Sequence, residues 1–377
     1  MYNIIGIFIK FDFGGVFLKS KILIKVVIVF LVIALTVQCN AFFVFAQVEI
    51  NTANRQKVIT QVTEMVPAIY EIDSTDEIYI GTKMSVYNVV DDALVQQEND
   101  VYPLYIDNMI VGIVNVVYRN SSVYQVSINQ AYAEALDDFL KEHFGIPYAI
   151  IHIGSDVYIK LESDNNMYCL VRSSNSLLGN EVSDLNNLNY ILPIKDICVP
   201  CNISYRSNSV LFKTLPIDYV CNDSTSCCPT GICWAASIAM ITNYHMGQTY
   251  TALDIHDRCG CITSNYHNEE KQYLRQLGMY AGGPYYSTGI YRFSLSSLYD
   301  CIEDDMLLIL DLQEYGVAAH NVVAYGYYAS ATGAAYFYYM DPNTGGNIAS
   351  FPDSSDDVVY VPLSGHNYQV HCYITAS

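Results

Sequence analysis

Apolar positions recur at helical spacing over residues 51–68 (NTANRQKVITQVTEMVPA), where Val58, Ile59, Val62 and Val66 fall on one face and Pro67 marks the end. The pattern then changes period. Residues 109–118 (MIVGIVNVVY) are β-branched and nearly continuous, and residues 123–128 (VYQVSI) alternate, so both predict strands. A helix is predicted from about Asn129 to His143, stopped by Gly145. Residues 148–153 (YAIIHI) and 156–161 (DVYIKL) flank Gly154-Ser155, a hairpin signal. Together these segments describe a small α+β unit. Residues 172–209 are rich in Ser and Asn and read as a linker.

Beyond the linker the chain opens with a helix signal and ends in strand signals. In residues 227–247 (CCPTGICWAASIAMITNYHMG), Pro229 and Gly231 break what precedes. From Cys233 to His245 the pattern is helical: Trp234, Ile238 and Ile241 form an apolar stripe, Ala235, Ala236 and Ala239 permit close packing, and Gly247 ends the helix. Strands are predicted over residues 305–311 (DMLLILD) and 320–328 (HNVVAYGYY). An aromatic strand in residues 337–346 (FYYMDPNTGG) ends at Asp341-Pro342 and runs into a turn.

At the other end, Lys19, Lys21 and Lys25 precede an apolar run from Val26 to Ala46. A basic segment followed by an apolar one is the pattern of a secretory signal, here with cleavage after Ala46. The run is also long enough to span a bilayer, so an uncleaved anchor is the alternative. The expected organisation is therefore a signal peptide or anchor at 1–46, an α+β domain at 47–190 and a second domain at 191–377. The location expected is secreted, or cell-surface if the leader is kept.

Composition narrows the function. With 52% hydrophobic and 15% charged residues, the chain is not a disordered protein. Eighteen basic against 38 acidic residues give a net charge of −20, which argues against nucleic acid and anionic lipid as partners. Of 12 cysteines, Cys39 lies in the leader, and the odd remainder predicts disulfides plus one leftover thiol. The segment around Cys233 makes it the thiol expected to stay unbridged. A zinc site from Cys198, Cys201, Cys259 and Cys261 is disfavoured, because the second pair lacks a two-residue spacer and export favours oxidation. Neither metal nor cofactor is expected.

Cys233 falls in the first turn of its predicted helix, where the dipole and N–H groups favour a thiolate. His320 opens a predicted buried strand and Asp341 closes another. Cysteine, histidine and then a carboxylate at a strand end is the order that a thiolate–imidazolium pair with an orienting acid requires. The other histidines fit less well. His245 lies about 18 Å along the same helix; His256 and His267 lie in polar, loop-like stretches; His366 and His371 precede no strand-end acid; His143 and His152 belong to the first unit.

These residues resemble the papain-like cysteine peptidases. GICWAAS is similar to the nucleophile helix, HNVVAYGYY to the histidine strand, and YYMDPNTG to the third-residue strand of bacterial branches that carry Asp-Pro. Those branches include bacteriocin-processing, staphopain-type and streptopain-type enzymes. The resemblance spans about residues 205–377. It implies an α+β fold with a papain-like two-lobed catalytic domain, a helical lobe facing an antiparallel β lobe. It also implies Cys233 as nucleophile, His320 as base, Asp341 as orienter, an acyl-enzyme intermediate, and protein or peptide substrates. Family members usually place a Gln six residues before the nucleophile as an oxyanion-hole donor; here that position is Cys227, with Asn222 or a backbone N–H as substitutes. The N-terminal unit is similar to pro-domains of secreted relatives, which implies a zymogen with an intramolecular inhibitory domain, or a folding chaperone; an independent binding domain is the alternative. Two further readings stand: a transglutaminase-like acyltransferase, sharing the G-x-C-W motif, and a catalytically weak surface-binding module.

Overall fold

The computed structural model describes residues 52–72, 76–90, 93–130, 132–153, 156–164, 166–171, 188–192, 195–199, 209–222, 231–262, 266–287, 292–313, 319–330, 333–352, 358–363 and 366–377. The leader, most of the predicted linker, the Gly154-Ser155 turn, Cys201, Cys227 and Cys228 lie outside the described residues. The chain divides into two compact units, Met1–Asn54 and Arg55–Ser377.

Helix α1 (52–69) is followed by β1 (Ile78–Gly81), β2 (Val86–Val90), β3 (Ala93–Gln96), β4 (Asp100–Ile106), β5 (Met109–Arg119) and β6 (Ser122–Asn129). Then come α2 (Ala133–Glu142), β7 (Tyr148–Ile153), β8 (Asp156–Leu161), β9 (Met167–Val171), β10 (Lys195–Val199) and β11 (Ser209–Thr214). The helical stretch holds α3 (Cys233–Met246), α4 (Ala252–Cys259) and α5 (Tyr266–Gln276), then β12 (Ala281–Tyr286) and α6 (Leu295–Glu303). The chain closes with β13 (Leu307–Gln313), β14 (His320–Ser330), β15 (Ala335–Asp341), β16 (Gly345–Ser350), β17 (Tyr360–Leu363) and β18 (His366–Ala376). The helices expected at 51–68 and 129–143 correspond to α1 and α2, and the strands expected at 109–118 and 123–128 to β5 and β6.

Thirteen strands form one antiparallel sheet, in the order β10-β1-β4-β5-β6-β16-β15-β14-β13-β18-β12, with β11 on β14 and β17 on β18. A second sheet, β3-β2-β7-β8-β9, includes the parallel pair β2–β7. The fold is thus α+β with a large antiparallel sheet, consistent with a papain-like fold. Strands from both halves of the chain share that sheet. The junction is β6 against β16, with Ile128 opposite Ile348 and Ser127 opposite Ala349. One core follows the same junction: Val62, Met65 and Val66 of α1 pack in a cluster with Tyr328, Tyr336 and Ile348.

The helix α3 is more than amphipathic. Every residue from Cys233 to Thr242 is buried, and such an all-round burial marks a helix inside a core rather than on its surface. Trp234, Ile238 and Ile241 pack in a cluster with Leu308, Leu310 and Val323 of the sheet. The helix ends at Gly247, whose φ of 62° is the left-handed cap that glycine adopts without strain. The next helix starts at a capping box between Thr251 and Asp254.

Candidate active site

Cys233 is the first residue of α3 and its side chain points into the protein, leaving 7% of the residue exposed. No side chain caps the helix at Ile232, but the Ile232 N–H donates to Asn222 Oδ1 at 2.9 Å. Gly231 makes this approach feasible. Its φ is +119°, and a Cβ there would lie 2.5 Å from Asn222 Nδ2.

His320 opens β14 opposite Leu312 of β13, so the sheet register brings the imidazole to the helix start. Asp341 is the last residue of β15 and is fully buried. The His320 Nε2 donates to Asp341 Oδ1 at 2.7 Å, and the imidazole also hydrogen-bonds the Cys233 side chain. The three predicted residues therefore meet in space. Burial by itself would lower the His320 pKa, but the negative charges of Asp341 and Cys233, with their hydrogen bonds, outweigh it and raise the pKa to about 10. At neutral pH the imidazole is held as the imidazolium.

The Asp341 carboxylate also accepts two hydrogen bonds from its own turn. The Asn343 N–H reaches Oδ1 at 2.9 Å and the Thr344 hydroxyl reaches Oδ2 at 2.8 Å. Asn222 then links the turn to the helix: its Nδ2 donates to Asn343 Oδ1 at 2.8 Å and its backbone N–H to the Pro342 carbonyl at 2.9 Å. One side chain thus ties the start of the nucleophile helix to the acid's turn.

Behind the thiol lies a polar row that the sequence does not announce. Cys233 Sγ donates to Asn321 Oδ1 at 3.7 Å. Asn321, Asp311 and Cys372 are register partners across β14, β13 and β18. Asn321 Nδ2 donates to Asp311 Oδ1, His267 Nδ1 meets Asp311 Oδ2, and the Cys372 thiol donates to Asp311 Oδ2 at 3.1 Å. Glu270, three residues after His267 on α5, is completely buried. Burial, then the charges of Asp311 and Cys233, push its carboxyl well above the usual range, which favours the neutral acid. His267, Asp311 and Cys372 place their ligand atoms within 4.8 Å of one another. These donors and acceptors already satisfy one another, so the group stands as a hydrogen-bonded cluster.

Residues 216–355 match the family model described as papain-like cysteine protease AvrRpt2. The match supports a papain-like cysteine protease. That class is a hydrolase acting on protein or peptide substrates, and the matched span contains Cys233, His320 and Asp341. No curated protein matches the chain.

The structure departs from two expectations. Among the described residues six cysteines, Cys169, Cys221, Cys233, Cys259, Cys301 and Cys372, carry thiols, where the odd count had left one. The physical reason is placement: Cys301 packs in the apolar core as a small apolar side chain, and the buried Cys372 thiol is engaged by Asp311. His256 and His267 also lie on helices, α4 and α5, instead of loops. Their helices are rich in polar residues, and few apolar positions mark the buried face.

Proposed function

We propose that this protein hydrolyses peptide bonds through Cys233, His320 and Asp341. The observation that carries the reading is the bond from His320 Nε2 to Asp341 Oδ1 at 2.7 Å, on an imidazole that also hydrogen-bonds the buried thiol at a helix start. The Cys233 thiolate attacks the scissile carbonyl carbon. The carbon–nitrogen bond breaks, the His320 imidazolium gives its proton to the leaving amine, and an acyl-enzyme remains. Water, deprotonated by His320, then attacks the acyl carbon, the carbon–sulfur bond breaks, the acid is released and the thiolate–imidazolium pair is restored. Asp341 keeps Nε2 engaged, so the opposite ring nitrogen faces the sulfur. The oxyanion would be met by the Cys233 backbone N–H and by the second hydrogen of Asn222 Nδ2, whose first is donated to Asn343. Export through the 1–46 leader, or retention by it at the cell surface, belongs to the same proposal.

The test is Cys233→Ala and His320→Ala in the full chain, assayed on a fluorogenic peptide library. Loss of hydrolysis in both supports the reading. Turnover like that of the parent in either variant overturns it. The same library with an added primary amine separates hydrolysis from acyl transfer, because only a transferase incorporates the amine as its main product.

A further inference from the structure

Asn347 is an amide buried in a β-strand, where an apolar side chain would pack as well. It lies on β16 and is 2% exposed. A buried amide is costly unless its hydrogen bonds are made, so its partners show what it is for. Asn347 Nδ2 donates to the Gly345 carbonyl at 2.6 Å and to Thr344 Oγ1 at 3.3 Å. Thr344 Oγ1 in turn donates to Asp341 Oδ2 at 2.8 Å. On its other side, Asn347 Oδ1 accepts the backbone N–H of Gln130, which follows β6, at 3.3 Å. Every donor in this series points the same way, from the N-terminal half towards the carboxylate, and hydrogen bonds aligned in series strengthen one another.

The N-terminal end of the series is itself anchored. Beside the β6–β16 ladder, the Val126 N–H donates to Ser350 Oγ at 3.0 Å. The Gln125 side chain exchanges two bonds with Tyr360, donating to its carbonyl at 2.5 Å and accepting its N–H at 2.9 Å.

We propose that Asn347 is a positioning residue, through which the N-terminal half of the chain holds Asp341 against His320. The proposal rests on the peptidase reading above. It gives the N-terminal half a supporting part in catalysis, and restraint of the enzyme by that half is the rival outcome. The physical consequence is specific. If Asp341 turns away from Nε2, the imidazole loses the charge that holds its proton, and the thiolate–imidazolium pair is depleted from the alkaline side first.

The experiment compares Asn347→Ala, Thr344→Val, Thr344→Ser and Gln130→Pro in the full chain. Gln130→Pro removes the single N–H that reaches Asn347. For each, kcat and KM are measured across pH and normalised to the fraction of chains labelled at Cys233 by a thiol-reactive peptide. Asn347→Ala and Thr344→Val are expected to lower kcat about five- to tenfold with KM little changed, the size of one lost hydrogen bond or somewhat more. Both should move the alkaline limb of the kcat profile to lower pH. Thr344→Ser should restore both quantities, and Gln130→Pro should shift them in the same direction by less. An alkaline limb unmoved in Asn347→Ala and Thr344→Val overturns the proposal, because a purely structural role changes only the labelled fraction. An unmoved profile in Gln130→Pro overturns the part given to the N-terminal half, and a gain in activity there replaces support with restraint. If Asn347→Ala does not fold, the Thr344→Val and Thr344→Ser pair, on a half-buried turn, decides the matter. If the parent protein hydrolyses nothing, the peptidase reading fails; the His320 ring titration, followed by NMR in the parent and in Thr344→Val, still reads whether the relay acts on the imidazole.

Discussion

Cys233 begins a helix that is buried on all sides, whereas Asp341 ends a strand and is held through a polar turn. The nucleophile's position is set by close packing of Trp234, Ile238 and Ile241 against the sheet. The acid's position is set by hydrogen bonds from its own turn, from Asn222 and from Asn347 by way of Thr344. The difference is physical. Apolar packing fixes where a backbone lies but is non-directional. A carboxylate has to be aimed as well as placed, and hydrogen bonds supply the angle. His320 stands between the two regimes, placed by strand register and aimed by Asp341.

This contrast can be broken by substitution. Cys233→Ala and His320→Ala should reduce hydrolysis by about 10⁴-fold or more with little change in folding, because nucleophile and base act as one unit. A peptide assay with active-site labelling reads both effects. Next in size, Ile238→Ala should cost about 2–5 kcal/mol of stability, read from the urea midpoint, because it opens a cavity beneath the nucleophile helix. Folded chains of that variant should keep a near-normal pH profile. Asp341→Asn should do the reverse. It keeps the shape and the fold but lowers kcat by about 10²-fold, in the range seen for a misdirected general base. If Ile238→Ala alters the pH profile, or Asp341→Asn changes the urea midpoint by as much as Ile238→Ala does, the division between packing and aiming fails.

The pH dependence sharpens the same point. A histidine raised from 6.5 to about 10 stabilises the folded state fully below pH 6.5. That contribution is lost as pH rises through about 10, and hydrolysis should fall over the same alkaline interval. In Asp341→Asn the alkaline fall should begin at lower pH. The smallest expected effect is a control outside both regimes. Thr251→Ala removes the α4 capping box and should cost about 1 kcal/mol by denaturation, with kcat and KM unchanged.

Legibility in the sequence follows the same division. The helix at Cys233, the strand at His320 and the strand end at Asp341 can each be read locally, from periodicity and from the Asp-Pro and Gly-Gly signals around the last. Asn321, Asp311 and Cys372 cannot be read that way. They become neighbours only through strand register, and Cys372 lies 61 residues from Asp311. Helix α5 hides for another reason. In YHNEEKQYLRQ the buried face is made by Glu270, Tyr273 and Leu274, so one of its inward positions is an acidic residue that the pattern assigns to solvent. Glu270 is inward because it faces the polar row, which no local pattern announces. Counting cysteines failed for a related reason: parity says nothing about which sulfurs the fold brings into bonding range.

The junction between β6 and β16 also sets a schedule for the chain's synthesis. Val126 emerges early, while its partner Ser350 is 224 residues further on. Until that strand arrives, β6 presents an unpaired edge, and a sheet closed by contacts this distant is slow to form. The 224 residues that separate the two strands' partners must be made before the edge is covered. The acid's hairpin reaches its partner in the same late step, so the constellation of Cys233, His320 and Asp341 is assembled last. A chain built in this order carries its own delay, in which the constellation is withheld while the molecule is still being made.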